Sequence, residues 1–178
     1  GKWEVAVGTF FVYFLIIGSV QAATEYSPLM GLFTIIISGP LTLGVAIFSL
    51  NISRDRNPHL EQLFDGFKNF GTSIGAYLLI VLFVLLWCLL LIIPGIIAAL
   101  SYSMTFYIIA DDDSIGAMDA IEKSKTMMDG YKWKYFCLNL RFIGWALLCL
   151  LTLGIGFLWL IPYIQVSLAK FYDDIKKN

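Results

Sequence analysis

The stretch DGYKWKYFCLNLRFIGWALLCLLTLGIGFLWLIPYIQVSLAKFYDD, residues 129–174, decides the fold. From Phe142 to Ala169 it holds no Asp, Glu, Lys or Arg, Gly154 and Gly156 interrupt the apolar run, and Pro162 follows six residues after the second glycine. An uncharged run of this length reads as hydrocarbon-embedded chain, not as an active site. The glycine interruption predicts two spans, about 135–153 and 156–172, joined by a tight turn, each close to the lower limit of ~17 residues. A single long span over 142–169 is the alternative and would put the carboxyl terminus on the opposite side.

Composition agrees with that reading. Hydrophobic residues make up 59% of the chain and charged residues 14%, against roughly 45–50% and about 25% in soluble domains. The mean hydropathy is +0.80. The formal net charge of -1 conceals charges gathered into short islands, and no basic surface for nucleic acid follows from it. The first apolar run, from Val5 to Thr24, is longer than the roughly 7–15 residues of a signal-peptide core, so it is expected to stay as a span. Cys88, Cys137 and Cys149 lie in apolar segments without CxxC spacing, and His59 is the one histidine. The cysteines therefore read as small buried hydrophobes, and no metal site is expected. The chain has no HExxH or phosphate-loop pattern and a single histidine, so no catalytic residue, no cofactor and no enzymatic activity are expected.

Working outward, spans are expected at about 5–22 and 29–50, joined by a polar turn at Thr24, Glu25, Tyr26, Ser27 and Pro28, with Gly39 and Pro40 breaking the second. The forty-two residues from Asn69 to Ala110 carry no charge. That length predicts spans at 73–93 and 95–110 with a turn at Pro94-Gly95. Between the hairpins lie two amphipathic surface helices, about 58–68 and 114–128. The first presents Leu60, Leu63, Phe64 and Phe67 at helical spacing, and the second presents Ile115, Met118 and Ile121 behind a Ser114 cap. Asp111, Asp112 and Asp113 read as a solvated stop signal, with a divalent-cation site as the alternative. Asn51-Ile52-Ser53 matches a glycosylation sequon but sits in a basic membrane-edge loop.

The fold class is thus all-α, a polytopic transmembrane bundle of six spans. Every Lys and Arg outside the spans falls at one set of ends: Lys2, then Arg54, Arg56 and Lys68, then Lys123, Lys125, Lys132 and Lys134, then Lys170, Lys176 and Lys177. The positive-inside rule places those ends, both termini included, in the cytoplasm. Leu63-Phe64-Asp65-Gly66-Phe67-Lys68 aligns with Met127-Met128-Asp129-Gly130-Tyr131-Lys132, so the spans are expected as three parallel hairpin repeats, each preceded by an amphipathic helix. Gly1 stands where an initiator methionine would, and the repeat predicts a third amphipathic helix upstream of it.

Intramembrane polar residues are the candidates for a site. Arg141 is the one ionisable residue inside a span, either snorkelling or binding a ligand. Gln165, Tyr163, Tyr102 and Ser101 are further ligand-binding candidates, with interhelical hydrogen bonding as the competing role. Lys123, Lys125, Lys132 and Lys134 are expected at the membrane surface. No carboxylate lies within the apolar spans, which disfavours coupled transport. The leading expectation is non-enzymatic binding or passage of a lipid or amphipathic small molecule, with membrane lipids as partners. The alternative is an anchor or accessory subunit of a transporter or cell-envelope complex, with Met118, Met127 and Met128 as an adaptable surface for a protein partner.

Ile92-Ile93-Pro94-Gly95-Ile96, Ser101-Tyr102-Ser103-Met104, Ser124-Lys125, Phe142-Ile143-Gly144-Trp145, Leu151-Thr152-Leu153-Gly154-Ile155-Gly156, Trp159, Pro162-Tyr163 and Phe171-Tyr172 together resemble the bacterial membrane family known as domain of unknown function 975. The resemblance is read over essentially the whole chain and implies a multipass protein of the bacterial plasma membrane, often of Gram-positive organisms. It implies no activity. The chain also bears some likeness to the non-catalytic membrane domain attached to certain glycerophosphodiester phosphodiesterases.

Overall fold

A computed structural model describes residues 2–24, 28–152, 154 and 156–177. Among these, all regular structure is helical: α1 Lys2–Thr24, α2 Pro28–Ser53, α3 Gln62–Asp65, α4 Phe70–Leu90, α5 Ile92–Tyr102, α6 Thr105–Asp111, α7 Ala117–Met127, α8 Lys132–Leu151 and α9 Phe157–Lys176. Five helical stretches are long and apolar enough to cross a membrane: Trp3–Ala22, Phe33–Ser53, Phe70–Leu89, Ile92–Asp111 and Lys132–Leu151. α9 is not among them, because Lys170, Asp173, Asp174 and Lys176 occupy its last two turns. The expected turn residues Glu25, Tyr26 and Ser27, and Leu153 and Ile155 of the second glycine turn, lie outside the described residues.

Three expectations are corrected. The helix expected over 58–68 shrinks to α3, with Asn57, Pro58 and His59 in coil before it. Gly44 explains its position: a Cβ there would lie 1.9 Å from the Leu63 carbonyl oxygen, so α3 seats directly against the α2 backbone. The helix expected over 114–128 begins at Ala117, because Asp112 accepts from the Ser114 backbone N–H at 3.1 Å and from its hydroxyl, forming a turn where a helix start was expected. The α4–α5 turn falls at Leu91, which is extended (φ -161, ψ 142), not at Pro94-Gly95. Pro94 sits in the first turn of α5, where a missing N–H costs nothing. Gly95 lets the arms meet, since a Cβ there would come within 2.2 Å of Cys88 Sγ and 3.0 Å of the Cys88 backbone.

The span expected at 95–110 is divided at Ser103 and Met104 into α5 and α6. α7 closes the gap: the Ser124 hydroxyl donates to the Ser101 carbonyl at 2.8 Å and accepts from the Met104 N–H at 3.2 Å. A broken helix is tolerated where its freed backbone groups find such partners. α7 is therefore wedged into the protein and not merely laid upon it, with Ala120, Ile121 and Ser124 buried.

Packing is uneven. The main core gathers Leu43, Ala46, Leu50, Met104, Ile108, Ala120, Met128, Leu168, Tyr172 and Ile175 from α2, α6, α7 and α9. Large apolar residues at the other end are exposed, Leu85, Leu89, Leu91 and Ile92 on α4–α5 and Leu147, Leu150 and Leu151 on α8. One end thus resembles a soluble core, and the other presents the apolar surface expected toward lipid. The aligned repeats share an ion pair, Asp65–Lys68 at 2.8 Å and Asp129–Lys132 at 3.9 Å.

Candidate functional site

The charged residues closest to the core form a network that joins three helix ends. Arg54, just after α2, donates from Nη1 and Nη2 to both oxygens of Asp111, the Nη2 contact being 3.0 Å. It reaches Asp173 of α9 through Nε at 3.0 Å and Nη2 at 2.6 Å. The Tyr172 hydroxyl donates to Asp111 Oδ2 at 3.1 Å, and Lys176 Nζ pairs with the same oxygen. The hydrogen bonds to Asp111 and then Asp173 raise the Arg54 pKa further above its ordinary value, so this guanidinium stays charged. The reading of Asp111 as a solvated stop signal is corrected: only Asp112 and Asp113 of the triplet are exposed, and Asp111 has a cationic partner where a cation site would need a free carboxylate.

The expected ligand-binding residues fall into separate places. Tyr163 lines a cleft of ≈ 460 Å³ with Trp3, Trp145, Cys149, Gly156, Trp159 and Leu160, between α1, α8 and α9. Gln165 lines a smaller cavity of ≈ 200 Å³ with Tyr13, Thr42, Ser103, Tyr107 and Tyr135 among others, and its Oε1 accepts from the Tyr107 hydroxyl at 3.3 Å. A ≈ 270 Å³ cavity shares Tyr13 and Thr42 and adds Gln21, Thr34, Ser38 and Tyr77, so hydroxyl and amide groups without formal charge line a discontinuous polar path. Ser101 and Tyr102 line a third place, ≈ 190 Å³, with Lys125, Lys132, Trp87, Pro94, Ile97 and Ala98. Arg141 is exposed on α8 and joins none of these. Of the surface lysines, Lys123 is exposed on α7, and Lys134 is exposed in the first turn of α8.

The aromatic cleft also bears on sidedness. Trp3 and Gly156 line one cleft, whereas the sequence reading sends the amino-terminal end of α1 and the α8–α9 tip to opposite faces. In three parallel repeats α1 would run parallel to α4 and α8, and the shared cleft departs from that expectation.

Sequence reasoning missed Tyr107, Tyr135 and Trp145 as lining residues. Their signal was present: each is an aromatic one helical turn or so from a residue that was singled out, Ser103, Lys132 or Arg141. No group of three or more His, Cys, Asp or Glu positioned to hold a metal occurs among the described residues.

These features define an all-helical protein whose apolar helices suit it to a membrane. Residues 88–178, half of the chain, match the family described as Protein of unknown function (DUF975), and the chain belongs to that family. All the motif residues on which the resemblance was read lie within that region, and the match does not extend to α1–α3. Comparison with curated proteins and with solved structures finds no match.

Proposed function

We propose that the protein is a non-enzymatic membrane component that holds a lipid or other amphipathic small molecule in the cleft between α1, α8 and α9. The observation that carries this reading is the cleft itself: ≈ 460 Å³, three tryptophans, and the Tyr163 hydroxyl as a polar handle. Ligand sites of about 300–1,000 Å³ with apolar walls and a few polar groups are the usual arrangement for such molecules. Aromatic rings with one polar edge suit the boundary between acyl chain and headgroup. The polar path through Gln165 and Tyr13 offers hydrogen bonds without charge, which suits hydroxyl or ester groups better than ions.

In this reading the protein lies in the bacterial plasma membrane as a set of apolar helical arms. The basic ends of the arms, with Arg54, Lys123, Lys125, Lys132, Lys134 and Lys176, face the cytoplasm. Membrane lipids are its immediate partners. A second reading, an accessory subunit, is favoured by one observation: α8 shows Leu140, Ile143, Leu147 and Leu150 exposed along its length, and Gly144 among them has nothing within 4 Å of a built Cβ. Small residues on an exposed apolar helix suit close helix packing in membranes.

Native mass spectrometry of protein released from lipid nanodiscs tests the first reading. A defined adduct that survives gentle activation and is lost in Trp159→Ala supports it. A bare mass contradicts it, and a stoichiometric second chain moves the assignment to the subunit.

A further inference from the structure

The depth to which the α4–α5 hairpin enters the membrane follows from where α7 is docked. α7 turns Asp119, Glu122, Lys123 and Lys125 outward, and such a face requires water or headgroups. Its inner face runs from Gly75 of α4, where a Cβ would lie 3.3 Å from Ala117 Cβ, to the α5–α6 break, where Ser124 holds Ser101 and Met104. On this flank the hydrocarbon can begin only beyond Ser101. What remains beyond is the part of α5 over residues 92–100. At 1.5 Å per residue that is about 14 Å, about half of the ~30 Å hydrocarbon core.

Two further observations agree. The tip is apolar and open, with Leu89 87%, Ile92 73% and Ile93 72% exposed, and residues 78–100 carry no polar side chain apart from Trp87 and Cys88. A turn that emerged among the headgroups of the far leaflet would place this surface in a polar layer. Lys125 and Lys132 line two cavities at once, one with Trp87, Pro94, Ile97 and Ala98, the other with Glu122, Thr126 and Asp129. They mark the boundary between apolar and polar surroundings along the flank of the hairpin.

We infer that the α4–α5 hairpin dips into one leaflet and returns, its tip near the bilayer midplane and Lys125 and Lys132 at the phosphate level of the leaflet it entered. The inference rests on the membrane assignment above but not on the aromatic cleft. The test uses Ile92→Cys in the full chain with Cys88, Cys137 and Cys149 replaced by alanine, reconstituted in phosphatidylcholine and phosphatidylglycerol vesicles. Leu89→Cys serves as a second position should Ile92→Cys fail to accumulate. A fluorophore at the tip is expected to be quenched most by lipids spin-labelled near the chain end, and the free thiol is expected to resist a membrane-impermeant maleimide from both faces. Reaction from the face opposite to that where Lys176→Cys reacts, or strongest quenching by headgroup-labelled lipid, overturns the inference. A midplane tip with no lipid adduct in mass spectrometry contradicts the cleft reading alone, and an adduct with a far-side tip contradicts this inference alone.

Discussion

Arg54→Ala removes a residue that ties the ends of α2, α6 and α9 together. The side chains concerned are 21% exposed for Arg54, 11% for Asp111 and 19% for Asp173, which places the network between a buried ion pair and a surface one. Breaking a buried pair by deleting one partner costs about 3–5 kcal/mol, and a surface pair is worth at most about 1 kcal/mol. The loss leaves Asp173 with only the Ser53 hydroxyl at 3.3 Å and Asp111 with Lys176 and Tyr172. An intermediate cost of about 2–3 kcal/mol is expected. Arg54→Lys retains the charge but cannot bridge two carboxylates in a fork, so it should recover less than half of that. Asp111→Asn should cost less than Arg54→Ala, since Arg54 then keeps Asp173. The assay is reversible unfolding of purified protein in mixed micelles against increasing fraction of denaturing detergent, followed by circular dichroism. An Arg54→Ala variant within about 0.5 kcal/mol of the parent, the range of ordinary surface substitutions, would refute the reasoning.

The remaining predictions concern single contacts. Ser124→Ala leaves the Met104 N–H and the Ser101 carbonyl unpaired in a buried place and should destabilise by about 1–3 kcal/mol, with faster hydrogen exchange confined to the Met104 amide and its neighbours. Gly44→Ala should prevent accumulation of folded protein, because the obstacle at 1.9 Å is the Leu63 backbone, whereas Gly144→Ala, with open space around it, should be neutral or stabilising by up to about 1 kcal/mol; thermal melts of the pair in one detergent separate the two. Gln165→Leu removes the acceptor of the Tyr107 hydroxyl and should cost about 1 kcal/mol while leaving the aromatic cleft intact, so a lipid adduct should persist in its mass spectrum.

Much of the architecture was legible because the bilayer imposes a length rule: uncharged runs bounded by Arg54, Asp111 and Lys132 located the ends of α2 and α6 and the start of α8 to within a few residues. The α4–α5 turn was misplaced by three residues because Pro-Gly reads as a turn, yet proline is equally at home in the first turn of a helix. The better signal was the spacing of Cys88 to Gly95, which recurs as Cys149 to Gly156; in both hairpins the glycine lies against the cysteine, with a Cβ at Gly156 coming within 2.7 Å of Cys149 Sγ. The α5–α6 break had no local signal, since Ser101, Ser103 and Thr105 can all sit in a membrane helix; the residue that fixes it, Ser124, lies on another element. The Arg54 network was hidden for the same reason, its members being far apart in sequence. Candidate residues were found one at a time as polar groups in apolar runs, but which of them share a cavity depends on helix crossings that periodicity does not encode.

The central claim is that the cleft between α1, α8 and α9 holds an amphipathic molecule, and a density map of the protein in a lipid nanodisc tests it most directly. The account predicts an elongated non-protein density lying between Trp145, Trp159 and Tyr163 with its polar end toward the tyrosine hydroxyl. A map in which α1 has closed onto α8 and the tryptophan rings fill the space would contradict it.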